Sequence, residues 1–344
     1  MSAFREILKQ SSTAKFVVNL ARFLKAVNIY RRTGITPDYG YHSARHLYFS
    51  TNRRSHDIFA AVQNFVSRHN TIVIENPIGV WGDMTGMSLE TVINTLDDVG
   101  FHRFDTLLQP EMCNKLIEFA HTTPSKPRIA GYDDKRIVYD RNNLVANLYD
   151  FDAQVLLENP IIQNLITDES LLAVAREFLG SSLCLQNVSM WWSNADFHNV
   201  SKNAAAQLYH VDMDTIKWLN FFIYLTDVDS LNGPHCYIAR SHRLAPREVY
   251  RDGRILDEEI SQHFQPEDVI EITGSQGTLL AVDTKGLHKG KVLEKGERLL
   301  LQIRFAVNNF GTGAPSKVEI NDKFSPEFLS KIERNPSIYK GGYF

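Results

Sequence analysis

The chain has 344 residues, 43% of them apolar and 22% charged, with a formal net charge of −3 and a sequence pI near 6.5. That is length for one large domain or two and apolar content for a buried core, and the slight acidity excludes a globally basic nucleic-acid binder. Cys113, Cys184 and Cys236 are odd in number, far apart and without CxxC spacing, which argues against a disulfide framework or structural zinc site and for a reducing compartment.

The opening MSAFREILKQ carries Glu6 and no apolar run ahead of a small-residue cleavage site, so it does not read as a secretory signal. The longest charge-free run, Phe178 to Ala195, is broken by Gly180 and several Ser, Asn and Gln, which argues against a membrane-spanning helix. A cytoplasmic protein is expected. Residues 1–75 hold 11 Lys plus Arg against 4 Asp plus Glu and form a compositionally separate region. Within it, AKFVVNLARFLKAVNIYRR places Lys15, Asn19, Arg22, Lys25 and Asn28 at steps of three or four, leaving an apolar face of Phe16, Val17, Leu20, Phe23, Leu24 and Val27. The spacing predicts an amphipathic helix with a basic stripe, which packs on the protein's own body in preference to an anionic membrane surface. A loop rich in Gly, Pro and Tyr then leads to a second helix in SHDIFAAVQNFVSRH.

From about Leu96 the texture changes. GFHRFDTLLQPEMCNKLIEFAHT reads as a strand and then a helix, with Pro110 in its first turn where a missing N–H is harmless. TDESLLAVAREFLG is a helix capped by Thr167 or Asp168 and ended by Gly180. Beyond residue 180, SLCLQNVSMWW, KWLNFFIYLTDV, GPHCYIARSH, GTLLAVDT and GERLLLQIRFAVN are short, aliphatic and aromatic, and separated by turn residues. They predict a mainly β sandwich or barrel with helices gathered earlier in the chain.

One stretch, LYHVDMD, contains the single place where a His is followed two positions later by a carboxylate. If it is extended, His210 and Asp212 project to the same face and can point at one metal. The best third ligand is His288 in VDTKGLHKGK, between two predicted strands. Two histidines and one carboxylate on one side of a metal, with the other positions open, is the facial arrangement of non-haem Fe(II) oxygenases. Such an iron needs a reductant for dioxygen; 2-oxoglutarate is the usual one, and its far carboxylate requires a cation. Arg298 lies ten residues after His288 on the next strand and offers a planar fork for a carboxylate. Alternation puts Arg298, Leu300, Gln302 and Arg304 on one face of that strand, so Arg304 is either a further contact to cosubstrate or substrate or, in the favoured reading, a surface ion-pair partner. Trp191, Trp192 and Trp218 are candidates for a substrate pocket or for core packing. His235 and His242 are expected to serve turn or strand packing, and Asp214 and Lys217 to contact substrate or form a solvated loop pair.

The order His-x-Asp, distal His and Arg, together with NGPHCYIARSHR, resembles the phytanoyl-CoA dioxygenase-like (PhyH) branch of the Fe(II)/2-oxoglutarate-dependent oxygenases. Asn232-Gly233 matches the family's Asn-Gly, whereas Ala239-Arg240-Ser241-His242 has Arg where the family's Gly-Ser-His has Gly. DDVGFHRFDTLLQPEMCNKLIEFA is similar to the family's usual opening segment, and the resemblance spans Asp97 to Phe310. It implies a double-stranded β-helix, a jelly-roll core with the metal near one open end, carrying an α-helical extension. The expected division is a basic helical extension over residues 1–95, packed on the core, and an oxygenase domain over 96–344.

Residue by residue, the resemblance makes His210, Asp212 and His288 the Fe(II) ligands and Arg298 the 2-oxoglutarate anchor. Gln207 is a candidate cosubstrate contact, although a regular strand would turn it away from His210. Related halogenases have Ala or Gly where Asp212 stands, so hydroxylation is favoured. The implied reaction consumes O2 and 2-oxoglutarate, releases succinate and CO2, and hydroxylates a small-molecule substrate, anionic or lipid-like. No nucleic acid partner is expected. Two alternatives keep the same residues: a non-catalytic jelly-roll protein that binds metal or a small molecule, and a zinc hydrolase.

Overall fold

The computed structural model describes residues 12–69, 72–197, 206–311 and 316–344. The two expected amino-terminal helices are α1 (Ser12–Thr33) and α3 (Arg54–Val66). Between them lies α2 (Asp38–Ser50), where the sequence predicts a loop. Its Gly and Tyr residues are poor helix formers, and tertiary contact overrides that preference. A Cβ on Gly40 would stand 2.2 Å from Ala26 Cβ, so glycine lets α2 lie directly on α1, and Ala44 and Leu47, one and two turns further along the same face, are buried with it.

A two-strand hairpin, β1 (Ile78–Gly79) and β2 (Gly82–Asp83), precedes α4 (Gly86–Asp98) and β3 (Phe101–Arg103). Helix α5 (Pro110–Thr122) starts at its proline as predicted. Strands β4 (Pro124–Pro127), β5 (Ile137–Val138) and β6 (Leu148–Asp150) lead to the short helices α6 (Ala153–Leu157) and α7 (Pro160–Ile166). Helix α8 (Glu169–Leu179) is capped by Asp168, whose side chain accepts from the Ser170 and Leu171 amides, and ends at Gly180 with φ 96°.

The five predicted strands are present as β7 (Cys184–Asn194), β8 (Trp218–Tyr224), β9 (His235–Ile238), β11 (Leu279–Val282) and β13 (Glu297–Ala306), with β10 (Val269–Ile272) and β12 (His288–Gly290) between them. They wind through two antiparallel sheets. The larger has the order β3-β11-β8-β13-β7-β6-β4-β5, and the smaller β10-β9-β12, extended past β12 by an antiparallel bridge between His210 and His288. After β7 and β8 the chain crosses to the small sheet for β9 and β10, returns for β11, crosses for β12 and returns for β13. This winding is a double-stranded β-helix.

Alternation along β8 and β13 divides the molecule. Leu219, Phe221, Ile223, Leu299, Leu301, Ile303 and Phe305 face outward into the main core, which also takes Phe23, Ala26, Ala44, Leu47 and Ala60 from the amino-terminal helices. The alternate residues Phe222, Tyr224, Arg298, Leu300, Gln302 and Arg304 face a cavity of about 280 Å³ between the sheets. No helix among the described residues is long and apolar enough to cross a membrane.

Candidate metal centre

His210 and His288 exchange backbone hydrogen bonds of 3.0 Å in both directions, so their side chains leave the rung on the same face. The rings stand 4.4 Å apart, centroid to centroid. Two residues on, the Asp212 amide donates to Thr284 O at 3.0 Å, which turns the carboxylate back toward the imidazoles. Asp212 Oδ1 is 3.6 Å from His210 Nε2 and 3.9 Å from His288 Nε2, and one donor atom from each of the three residues lies within 4.8 Å of the others.

Each imidazole is also oriented from behind. His210 Nδ1 is 2.9 Å from Leu208 O, and His288 Nδ1 is 2.9 Å from Gly286 O. A carbonyl only accepts, so in each neutral ring the proton sits on Nδ1 and the Nε2 lone pair is left for a metal. Burial, reinforced by the neighbouring His288, pushes His210 down to about 3 and keeps it uncharged at neutral pH. Burial alone would raise Asp212, but His288, Arg304, His210 and a Thr284 hydroxyl hydrogen bond outweigh it and hold the carboxyl at about 2. Two imidazoles presenting Nε2 and an ionised carboxylate are a suitable donor set for a divalent first-row metal.

Arg304, expected at the surface, is buried beneath this site. Nη2 donates to Asp212 Oδ2 at 3.2 Å, Nη1 donates to Asp214, and Nε donates to Asn220 Oδ1 at 2.7 Å. The fork therefore occupies one oxygen of Asp212 and leaves Oδ1 facing the histidines. Asp214 is thus paired with Arg304 rather than with Lys217, whose ammonium donates to Phe178 O at 2.5 Å.

Arg298 enters the same cavity and is 7% exposed. Its Nη1 donates to Gly233 O, its Nε has no partner, and it forms no ion pair among the described residues. Burial lowers its pKa, the mark of a charge held without full compensation. Gln207 lines the cavity too. Alternation does not govern it, because the chain at 206–207 is outside any strand and Ala206 has φ 54°.

Of the three tryptophans, only Trp191 reaches the cavity. Trp192 stacks on Tyr139 in the core, and Trp218 donates to Thr284 Oγ1 at 2.7 Å. His242 is a packing residue within 3.0 Å of Asp97 O. His235, expected to pack as well, lines the cavity with its ring stacked 5.4 Å from that of His288 and its Nε2 unpartnered. The signal for it was alternation from Tyr237 on a four-residue strand, which does not say which face is inside.

Residues 96–291 match the model of the Phytanoyl-CoA dioxygenase (PhyH) family. The chain belongs to this family of Fe(II)/2-oxoglutarate-dependent oxygenases, and Fe(II) and 2-oxoglutarate are the metal and cosubstrate characteristic of it. No curated protein matches the chain. Among solved structures it is similar to HygX from Streptomyces hygroscopicus with nickel, 2-oxoglutarate and hygromycin B bound, at 15% identity and a TM-score of 0.44 over 68% of this chain and 94% of that one. AviO1 from Streptomyces viridochromogenes Tue57 is 18% identical, with a TM-score of 0.44 over 67% and 100% of the two chains. EctD from S. alaskensis with bound Fe is 16% identical, with a TM-score of 0.44 over 69% and 80%.

Proposed function

We propose that the protein is a hydroxylase that acts on a small or lipid-like organic substrate and releases succinate and CO2. The observation that carries this reading is the convergence of His210, Asp212 and His288 in a cavity whose wall also holds Arg298, a buried cation without a carboxylate of its own. In this reading His210, Asp212 and His288 hold Fe(II), Arg298 takes the far carboxylate of 2-oxoglutarate through its fork, and Gln207 adds a hydrogen bond. Fe(II) and 2-oxoglutarate, when bound, supply the reducing power that splits dioxygen and delivers one oxygen atom to the substrate.

The chain's own residues position and shield. The Leu208 and Gly286 carbonyls fix the two imidazoles, Arg304 fixes Asp212, and Trp191, Phe222 and Leu300 give the cavity an apolar wall that limits water. Asp212 occupies the position a halide would need, which favours hydroxyl transfer over halogenation. Residues 1–95 are assigned to an extension packed on the core and residues 96–344 to the oxygenase domain. The three cysteines are buried and free, in keeping with a reducing, cytoplasmic setting.

Anaerobic titration with Fe(II) and 2-oxoglutarate tests the reading. A visible metal-to-ligand charge-transfer band is expected, and His210→Ala should abolish it. Folded wild-type protein without the band would favour the non-catalytic binding protein, and turnover without oxygen or succinate would favour the zinc hydrolase.

A further inference from the structure

Packing on the body accounts for only one face of α1. Phe23 and Ala26 are buried, and Phe23 stacks on Phe59 of α3 with ring centroids 4.2 Å apart. The other face leaves Val17, Val18 and Leu24 exposed, and α3 leaves Ile58, Val62, Phe65 and Val66 exposed, each by between 48% and 66%. The spacings put Val17 with Leu24 on one face of α1, with Val18 a quarter-turn round from them, and Ile58, Val62, Phe65 and Val66 on one face of α3. The two faces meet: Leu24, Val62 and Val66 line one groove of about 370 Å³, floored by Phe23 and Phe310. Monomeric proteins rarely leave so continuous an apolar patch to water.

Among the described residues the charge on α1 has one sign. Helix α1 carries Lys15, Arg22, Lys25, Arg31 and Arg32 and no acid. Arg54 and Arg68 flank the stripe on α3, with the Arg68 guanidinium 4.2 Å over the Phe65 ring. Asp57, the acid of α3, is turned to Lys285 at 3.4 Å.

We propose that the shared face of α1 and α3 is a docking surface for an anionic phospholipid bilayer. The apolar stripe enters the headgroup boundary while the cations around it meet lipid phosphates. A symmetric contact with a second copy would set the same cations against themselves, so charge complementarity selects the bilayer. The proposal does not depend on the reaction assigned to the barrel.

The full chain should co-sediment with vesicles of phosphatidylcholine and phosphatidylglycerol and stay in solution with phosphatidylcholine alone. Basic residues near an anionic surface add to partitioning, so Lys25→Glu with Arg31→Glu should lower it about tenfold or more, and high salt should do likewise. Val62→Glu with Phe65→Glu should lower it comparably while leaving the thermal midpoint of the folded protein in place. Wild-type protein remaining in the supernatant with anionic vesicles would overturn the proposal, as would equal binding by the Val62→Glu, Phe65→Glu variant. A dimer in gel filtration that this variant dissolves would reassign the face to a second copy.

Discussion

At the candidate metal site, side chains are placed by backbone pairing: His210 by its bridge to His288, Asp212 by the Thr284 carbonyl, Arg298 and Arg304 by the pleat of β13. In the layer made by α2 and α3 the contacts run the other way, from side chain to distant backbone. Arg53 at the start of α3 is buried and donates to the carbonyls of Ser241, His242 and Arg243. Tyr48 on α2 meets Tyr250 at 2.5 Å between hydroxyls, and Tyr250 donates to Lys285 O at 2.8 Å. Ser241 in turn accepts from the Leu287 amide at 2.7 Å. The helical layer thus grips the turn 285–288 from two sides, and that turn delivers His288. A segment outside the residues matched by the family model is therefore wired to a residue of the candidate metal centre.

Arg53→Met should have the largest effect. It removes a buried guanidinium and strands three carbonyls, for about 3–5 kcal/mol in urea unfolding. If the grip matters to the site, Fe(II) affinity of the folded variant should fall as well, read by the charge-transfer band with 2-oxoglutarate. Unchanged affinity with lowered stability would break the comparison and leave the layer a scaffold.

Arg304→Met touches the barrel side alone. With its fork gone, Asp212 Oδ2 loses its donor and the carboxylate is free to rotate, so Fe(II) affinity should drop by about 10–100-fold, as for other partners of metal ligands. Arg304→Lys keeps the charge without the planar fork and should recover only part of that loss. Equal affinities in wild type and Arg304→Met would show that the histidines alone set the geometry.

The same contrast explains what could be read from the residues. That His210 and Asp212 share a face, and Arg298, Leu300, Gln302 and Arg304 another, was legible because an extended chain's period of two fixes which residues face together, though not which face is inside. Helix α8 was legible because its cap and its terminal glycine are neighbours in the chain. Helix α2 was not, since its formation depends on Gly40 meeting Ala26. The burial of Arg304 was equally hidden, because Asp212, Asp214 and Asn220 reach it from elsewhere in the chain. Gln207 escaped the alternation rule for a local reason, the left-handed residue just before it.

His56 on α3 offers the smallest and most selective test of the helical layer. The ring is 1% exposed, lies edge-on to Tyr48 at 4.9 Å, and its Nε2 has no partner. Burial, aided by the nearby Lys285 cation, lowers its pKa from 6.5 to about 3. The unfolded chain therefore takes up a proton near pH 6.5 that the folded chain refuses until about pH 3. The stability tied to a neutral His56 is complete above pH 6.5 and is lost as pH falls from there toward 3. Between pH 7 and 5.5, above the range where most carboxylates titrate, the loss should be about 1 kcal/mol. His56→Phe fills the site without a proton and should flatten the urea-unfolding profile by that amount. Because His56 lies outside the barrel, the same pH-dependent contribution should remain in Arg304→Met. A slope that persists in His56→Phe would assign the acid sensitivity to other groups.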